Sequence, residues 1–309
     1  MKDLRARVGA EVAKVVVGQD AALEALIAAF ALGGHVLLEG PPGVAKTLLA
    51  SATARALELD FRRVQFTPDM LPSDLTGTMT LRGGELRFRP GPVFTNLLLA
   101  DEVNRTPPKT QAALLQAMQE GEVSVEGRPE LLPEPFLVVA TQNPIEYEGT
   151  YPLPEAQLDR FLVKVDVGYP GEDDERQMLR LPRRGLAPTG LRDVRPVAGA
   201  EDLRRAREQV DAVTVSDEVS AYVVAVVRQT RVLPSLTLGA SPRAAVHLLG
   251  AARAAASLAD RDFVTPDDVV RMAVPVLRHR FVLSPEAELE RFGADEAVRA
   301  ALASVPVPR

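Results

Sequence analysis

The chain has 309 residues, with 36 Lys and Arg against 42 Asp and Glu, a formal net charge of −6, and no cysteine. Its length predicts about two domains, and a composition of 46% hydrophobic and 25% charged residues is typical of a globular protein with an ample core. The acidic charge gives no general attraction to nucleic acid or anionic membranes, and the absence of cysteine excludes disulfides, thiolate catalysis and cysteine metal sites.

The N-terminal part of the sequence predicts helices over residues 1–32. Its most apolar stretch, residues 25–32, lies between Glu24 and the pair Gly33 and Gly34, and is too short to span a membrane. The first residues lack the apolar core of a signal peptide. We therefore expect a cytoplasmic protein without a membrane span.

A glycine-bearing loop follows an apolar run that predicts a buried strand, and a stretch of helix-forming composition follows the loop. This arrangement cradles phosphates, because N–H groups of the loop and of the helix N-terminus converge on one anion site. Lys46 adds positive charge near the β- and γ-phosphates, and the Thr47 hydroxyl is a ligand for Mg²⁺. Ala45 departs from the P-loop pattern, which expects glycine there. The predicted ATP-binding residues of this segment are Gly40, Pro41, Pro42, Gly43, Val44, Ala45, Lys46, Thr47 and Leu48.

Short apolar runs alternate with helical segments through the first half of the chain. The five runs are residues 36–38, 63–66, 97–100, 136–141 and 161–167. This alternation predicts a parallel sheet that is covered by helices on both faces. Ligands of such sheets bind beyond the carboxyl ends of the strands, which is where the phosphate loop lies.

Two insertions interrupt the α/β pattern, and each predicts a hairpin. Residues 79–81 and 86–88 flank a turn at residues 82–85, and residues 123–125 precede a turn at Glu126 and Gly127. Insertions on a rigid scaffold often carry recognition. Plain decoration of the scaffold remains an equal alternative.

The strand signal fades after residues 168–171, which predicts a domain boundary. We expect an α/β nucleotide-binding domain at residues 1–168 and a helical domain at residues 169–309. One helical face of the second part is apolar: Val219, Tyr222, Val223, Val226 and Val227. Ser241-Pro242 and Thr265-Pro266 each predict the start of a helix, and Pro275 predicts a kink or an end. His279 lies among arginines and is predicted at a surface or interface.

Two acids follow an apolar strand downstream of the phosphate loop. Asp101 is placed to hold Mg²⁺ through water, and Glu102 is placed to polarise the attacking water, which is the division of labour that phosphoryl transfer needs. Asn143 ends another predicted strand and is a candidate to hydrogen-bond that water or the γ-phosphate. An asparagine before proline is also an ordinary turn residue.

The chain resembles AAA+ ATPases of the MoxR group. The resemblance is carried by residues 40–47, 97–105, 141–144 and 154–161, and it extends over nearly the whole chain. The alanine before the P-loop lysine is typical of this group. The sequence Ala-Asp-Glu-Val-Asn-Arg at residues 100–105, followed by Pro-Pro-Lys-Thr-Gln at residues 107–111, is more specific than any single motif.

The resemblance implies catalytic roles for individual residues. Lys46 and Thr47 are similar to the Walker A lysine and threonine, and Asp101 and Glu102 to the Walker B acids. Asn143 resembles the sensor-1 residue.

The resemblance also implies residues for the subunit boundary, the lid and the base. Arg160 resembles an arginine finger that reaches the ATP of a neighbouring subunit, and Arg243 resembles the sensor-2 arginine of the helical lid. The alternatives are an ion pair of Arg160 with Asp159 or Glu155, and an ordinary exposed helix arginine for Arg243. The segment Val17, Gly18 and Gln19 resembles the one that packs on adenine, and residues 78–90 resemble the helix-2 insert of this clade.

The family resemblance implies an α/β fold, an AAA+ P-loop αβα domain with a parallel five-stranded sheet, followed by a smaller all-helical lid. It implies Mg²⁺-dependent hydrolysis of ATP in a ring, usually a hexamer. It also implies chaperone-like remodelling or activation of partner proteins, by insertion of metal ions or cofactors. The partner is often a separate protein with a von Willebrand factor A domain.

Other functions remain open on the sequence alone. A nucleic-acid motor of the same clade would need a basic hairpin, and Arg82, Arg87 and Arg89 are there, although Glu85 and the acidic net charge dilute them. A non-hydrolysing ATP switch would have little use for Glu102. The ATPase subunit of magnesium chelatase shares the hairpin insert, but this shorter chain is more similar to the MoxR group.

Overall fold

A computed structural model describes residues 1–143, 150–181, 183–184, 187–188 and 190–308. The elements up to the last strand of the central sheet are α1 (Lys2–Val12), α2 (Asp20–Ala31), β1 (Val36–Glu39), α3 (Lys46–Ala56), β2 (Phe61–Gln65), α4 (Pro72–Thr76), β3 (Gly77–Arg82), β4 (Glu85–Pro90), β5 (Leu97–Asp101), α5 (Pro108–Glu120), β6 (Glu122–Val125), β7 (Arg128–Leu131), β8 (Leu137–Gln142), α6 (Glu155–Leu158) and β9 (Val163–Asp166). Those that follow are α7 (Glu172–Arg180), β10 (Arg183–Arg184), β11 (Ala187–Pro188), α8 (Ala200–Asp211), α9 (Asp217–Gln229), β12 (Leu236–Leu238), α10 (Pro242–Leu258), α11 (Pro266–Leu277), β13 (Val282–Leu283), α12 (Pro285–Leu289) and α13 (Ala294–Ala303).

The central sheet has five parallel strands in the order β2-β5-β8-β1-β9. All five correspond to the apolar runs of the sequence, and the predicted fold class is confirmed. The strand β5 is fully buried along Leu97, Leu98, Leu99 and Ala100, as expected where helices cover both faces of a parallel sheet. Because side chains alternate along a strand, Leu97 and Leu99 join one core cluster while Leu98 and Ala100 join the other.

Both predicted hairpins form. The strands β3 and β4 pair across Gly83 and Gly84, and β6 and β7 pair across Glu126 and Gly127. All four turn residues have φ between 49° and 88°, and two-residue turns with positive φ match the right-handed twist of the strands. At the tip of the first hairpin, Leu81 and Leu86 are opposite each other and exposed by 70% and 64%.

The second half of the chain is mainly helical, as the sequence predicts. Its helices pack against the α/β part. Helices α8 and α10 contact α2, and α11 contacts the edge strand β9. One hydrophobic cluster runs from α1 and α2 into α10 and α11 without a break. The domain boundary at residue 168 therefore stays a prediction.

Two helix starts in this half follow the sequence pattern closely. Ser241 precedes α10 and Thr265 precedes α11, where the Thr265 N–H donates to the Asp268 carboxylate over 2.8 Å. Helix α11 continues through Pro275 and ends two residues later. Among the described residues, no helix is long and apolar enough to cross a membrane.

Candidate functional site

The phosphate loop connects β1 to α3 at the carboxyl edge of the sheet. A Cβ on Gly40 would lie 2.2 Å from the carbonyl oxygen of Val167, so this close approach of two backbones requires glycine. Gly43 has φ of 85° and open space around its Cα. Ala45, where the common motif has glycine, adopts the left-handed conformation with φ of 65° and ψ of 22°, at a cost of about 1 kcal/mol. Ala45 thus has the left-handed backbone conformation that glycine adopts more easily.

Helix α3 begins at the next residue, so that Lys46, Thr47 and Leu48 form its first turn. The loop before it contains Pro41, Pro42 and the buried Val44. The Lys46 ammonium folds back over the loop and donates to the carbonyl oxygens of Gly40 at 2.5 Å and Pro41 at 2.9 Å. Burial lowers the pKa of Lys46 from its usual value, against the attraction of Asp101, Glu102 and Glu39. The Lys46 ammonium therefore lies at the N-terminus of α3. The helix dipole favours an anion at this end, and the ammonium adds a further positive charge for it.

Asp101 is the centre of the polar cluster at the end of β5. Its Oδ1 accepts from the Thr141 hydroxyl at 2.6 Å, and its Oδ2 accepts from the Thr47 hydroxyl at 3.3 Å. The same Oδ2 accepts from Nε and Nη2 of Arg63, at 3.0 and 2.6 Å. The sequence interpretation missed Arg63, although β2 lies beside β5 in parallel and thus delivers its polar side chains to the same place.

The hydroxyl of Thr47 and the carboxylate of Asp101 are a pair of hard oxygen donors of the type that Mg²⁺ takes. No cluster of three or more His, Asp or Glu side chains suited to a metal occurs in the part of the chain that the structure describes. A magnesium ion in a nucleotide site is usually held by one or two protein oxygens and otherwise by water and substrate phosphates. The residues present fit that ion.

Glu102 follows directly and has a strained backbone, with φ of 57° and ψ of 50°. Its N–H donates to the Thr141 hydroxyl over 2.9 Å, which ties it to the Asp101 cluster. Its carboxylate accepts from Gln65 Nε2 at 2.6 Å and from Arg105 Nε at 3.0 Å. Such left-handed non-glycine residues concentrate at functional sites. Gln65, like Arg63, is a β2 residue that the sequence interpretation missed.

Asn143 is buried just beyond the end of β8. This strand lies between β5 and β1 in the sheet, so Asn143 stands between the two acids and the phosphate loop. Its proline neighbour at position 144 lies outside the described residues.

The segment Val17, Gly18 and Gln19 lies beside α3 and α7. It lines a small cleft of about 100 Å³ together with Leu49 of α3 and Asp174 of α7. Gly18 has φ of 77°, and a Cβ there would lie 2.8 Å from Asp174 Oδ2. Gln19 Nε2 donates to the Gly168 carbonyl oxygen at 3.2 Å. Gly168 follows β9, which lies on the other side of β1 from β8 and β5, so the segment lies on the side of the sheet away from Asp101.

Arg160 and Arg243 lie together, but at the other edge of the sheet. Both line a cavity of about 350 Å³ with Gly34 and His35, which precede β1, whereas the phosphate loop follows β1. Four strand residues separate these two edges, a span of about 13 Å. The two arginines are therefore directed away from the phosphate loop of their own chain.

The contacts of Arg160 exclude its ion pair with Asp159, one of the alternatives that the sequence left open. Its Nη1 donates to the Leu115 carbonyl oxygen at 2.6 Å, whereas the Asp159 carboxylate binds Arg280 and Ser241. An ion pair of Arg160 with Asp159 is thus wrong. Arg243 is exposed in the first turn of α10, and none of the described residues accepts a hydrogen bond from it.

Comparisons with known proteins show which family the chain belongs to. The family model of the ATPase family associated with various cellular activities (AAA) matches residues 35–163, and that of the AAA lid domain matches residues 228–301. The uncharacterized protein YeaC of Bacillus subtilis is 46% identical over 96% of this chain and 92% of its own length. Chaperone MoxR1 of Mycobacterium tuberculosis is 44% identical over 97% of this chain and 81% of its own, and protein MoxR of Methylorubrum extorquens is 35% identical over 99% and 96%.

A crystal structure from Cytophaga hutchinsonii, described as that of a candidate ATPase, superposes with a TM-score of 0.91 at 40% identity, and covers 100% of this chain and 96% of that one. This likeness extends over both the α/β part and the helical part. With these relatives and the site geometry in hand, the chain belongs to the MoxR family of AAA+ ATPases.

Proposed function

We propose that this protein hydrolyses ATP with Mg²⁺ in a homo-oligomeric ring, usually a hexamer in its family, and acts as a chaperone-like remodeller or activator of partner proteins. One observation carries the proposal. The phosphate loop and the two acids lie at one edge of the sheet, and Arg160 and Arg243 lie at the other. Each chain therefore holds two halves of a site that only a neighbouring subunit can complete.

In the first half-site, Lys46 and the loop N–H groups bind the phosphates, and Val17, Gly18 and Gln19 border the base. Thr47, and Asp101 through water, would hold Mg²⁺, which would supply positive charge to neutralise the phosphates. Glu102 orients the attacking water and takes its proton, and Asn143 hydrogen-bonds the water or the γ-phosphate.

In the second half-site, Arg160 and Arg243 stabilise the charge that develops on the γ-phosphate of the neighbouring subunit. A guanidinium is planar, always charged and matched to phosphate oxygens. An arginine supplied in this way by a partner accelerates phosphoryl transfer by roughly 10³-fold or more. Hydrolysis is then coupled to assembly.

A mixing experiment tests this division. Glu102→Gln and Arg160→Ala are each expected to bind ATP and lose turnover, whereas Arg299→Ala, a change at an exposed arginine of α13, leaves turnover unchanged. In an equal mixture of the two inactive variants, about a quarter of the subunit boundaries join an intact Glu102 to an intact Arg160, so part of the activity returns. If exchange of subunits is demonstrated and no activity returns, action across the boundary is wrong.

The identity of the client is a separate part of the proposal. One relative is named a chaperone, MoxR1, and this supports work on other proteins. We propose a separate partner with a von Willebrand factor A domain, a lid that begins near residue 169, and a cytoplasmic location. Stimulation of the ATPase rate by such a partner encoded beside this chain tests the first point, and an unchanged rate with every such neighbour contradicts it.

The structure gives less support to a nucleic-acid motor. On the inserted hairpin, Arg87 pairs with Glu85 at 3.0 Å, and the side chain of Arg82 lies outside the described part. The tip presents Leu81 and Leu86 to solvent, which suits contact with protein better than contact with phosphates. A rise of the ATPase rate on addition of DNA would revive this alternative.

A further inference from the structure

Arg280, a buried arginine outside the two half-sites, donates a hydrogen bond from each of its side-chain N–H groups. The side chain of Arg280 has 0% exposure and lies just beyond the end of α11. Its Nε donates to Asp159 Oδ1 at 2.9 Å, and its Nη1 donates to the carbonyl oxygens of Val276 and, at 3.2 Å, Leu162. Its Nη2 donates to the Phe161 carbonyl oxygen and to His247 Nδ1, each at 2.5 Å. A guanidinium has five N–H groups, and all five are paired here.

These contacts connect elements that are distant in the sequence. Residues 159–162 lead into β9 of the α/β part, His247 belongs to α10, and Arg280 itself follows α11. Burial is the main cause that lowers the pKa of Arg280, to about 10, and the attraction of Asp159 opposes it. A charge in this position is strongly destabilising unless it is fully paired, so Asp159 and the surrounding acceptors are held in fixed places.

The second oxygen of Asp159 extends the connection to the start of α10. Asp159 Oδ2 accepts from the Ser241 hydroxyl at 3.0 Å. Ser241 is the N-cap residue of α10, but its side chain makes no capping hydrogen bond, so its hydroxyl serves Asp159 instead. Arg160 follows Asp159 directly, and Arg243 comes two residues after Ser241. The two arginines therefore lie next to, and two residues after, the two residues of one hydrogen bond, Asp159 and Ser241.

We infer that Arg280, through Asp159 and Ser241, is a positioning residue that holds Arg160 and Arg243 as one rigid unit facing the nucleotide of a neighbouring subunit. This inference rests on the proposed function. It adds that the α/β part and the helical part of one chain present their arginines together, at the shared cavity of about 350 Å³. Three donors of a lysine could not satisfy the same five acceptors.

Substitutions at Ser241 test the inference with little risk to folding, because the hydroxyl caps no helix. Ser241→Ala is expected to lower kcat by about fivefold or more and to leave KM for ATP within about twofold, since the phosphate loop of the same chain is intact. Ser241→Thr keeps a hydroxyl and is expected to stay within about twofold of the wild-type kcat. Ser304→Ala, which removes an exposed serine hydroxyl at the end of α13, is the matched control without effect.

A double-mutant cycle separates positioning from general stability. If Ser241 acts through Arg243, Ser241→Ala changes the single-turnover rate by less than about twofold once Arg243→Ala is present. A merely structural role would lower the rate equally in both backgrounds, and that result overturns the inference. Asp159→Asn keeps the size of the side chain but leaves Arg280 without its counter-charge, so it is expected to lower the unfolding midpoint as well as kcat.

The outcomes also distinguish this inference from the proposed function. If Arg160→Ala and Arg243→Ala both keep full turnover, the proposed action across the subunit boundary fails and the inference fails with it. If both lose turnover while Ser241→Ala and Asp159→Asn keep it, the proposed function stands and the positioning role is overturned.

Discussion

Arg63 should weaken the binding of Mg²⁺, because it occupies the same carboxylate oxygen as the proposed metal site. Its guanidinium donates twice to Asp101 Oδ2, the oxygen that also faces the Thr47 hydroxyl. A cation that binds Asp101 must share this oxygen or displace the guanidinium. Replacement by glutamine removes the positive charge, and we therefore expect Arg63→Gln to bind Mg²⁺ more tightly.

The size of the effect follows from the exposure of the pair. Opposite charges about 4 Å apart interact by about 1 kcal/mol in water and about 4 kcal/mol at an effective dielectric constant of 20. The Asp101 side chain is 9% exposed, but that of Arg63 is 51% exposed, so solvent screening brings the value toward the lower limit. We expect about 1.4 kcal/mol, which is roughly tenfold in the Mg²⁺ affinity.

The assay is a titration of Mg²⁺ at fixed ATP in the Glu102→Gln background, followed by the fluorescence of a labelled nucleotide, so that no turnover intervenes. The midpoint is expected to fall roughly tenfold with Arg63→Gln. Arg62→Gln is the matched control, since Arg62 is the preceding residue on β2 and points to the opposite face of the sheet. An unchanged or higher midpoint for Arg63→Gln would refute the competition between Arg63 and the metal.

Three further outcomes are expected. Lys46→Ala should weaken ATP binding by about tenfold or more in equilibrium titrations, because a charge-assisted contact to phosphate is lost. Glu102→Gln should keep that affinity and trap assembled rings, visible by light scattering with ATP. Acidic pH should lower the free energy of unfolding, because the buried, neutral His35 must then take up a proton. Its Nδ1 accepts from the Val138 N–H, and burial lowers its pKa to about 4 from an unfolded value of 6.5. The stability is thus complete above pH 6.5 and decreases toward pH 4, by about 2 kcal/mol at pH 5. Denaturant unfolding at pH 7.5 and 5 checks this, and a His35→Gln variant should lose that part of the pH dependence.

The site residues that a local pattern marks were predictable, because strand, loop and helix composition places them without knowledge of distant contacts. The phosphate loop and the acids after β5 are of this kind. Arg63 and Gln65 were not predictable, because they act from β2, and only the pairing of β2 with β5 brings them to Asp101 and Glu102. The alternation of strands indicated a parallel sheet but did not fix the strand order.

The buried arginine network shows a second limit of sequence patterns. His279 was predicted at a surface or interface because arginines surround it in sequence, and this prediction was wrong. It is 4% exposed, and its Nε2 contacts the Phe161 carbonyl oxygen at 3.1 Å. Several charged residues in a short stretch of sequence normally indicate exposure to solvent. Here, however, the charge of Arg280 is neutralised by Asp159, which lies 121 residues away in sequence. Composition carries no signal for such a partner.

In the proposed ring, the position of the helical part would decide how one subunit responds to the nucleotide bound by the next. Helices α10 and α11 pack on α2 and β9 and share one core with the α/β part, so Arg243 does not need a hinge to reach Arg160. If Arg280 holds both arginines in one unit, as we propose, a force on either of them from the nucleotide of one subunit would act on the whole neighbouring chain. The phosphate loop of that neighbour follows β1, whose other end borders the arginine cavity. In the proposed ring, the short strand β1 would connect the two half-sites, so that binding at one would reach the other as a movement of the whole subunit.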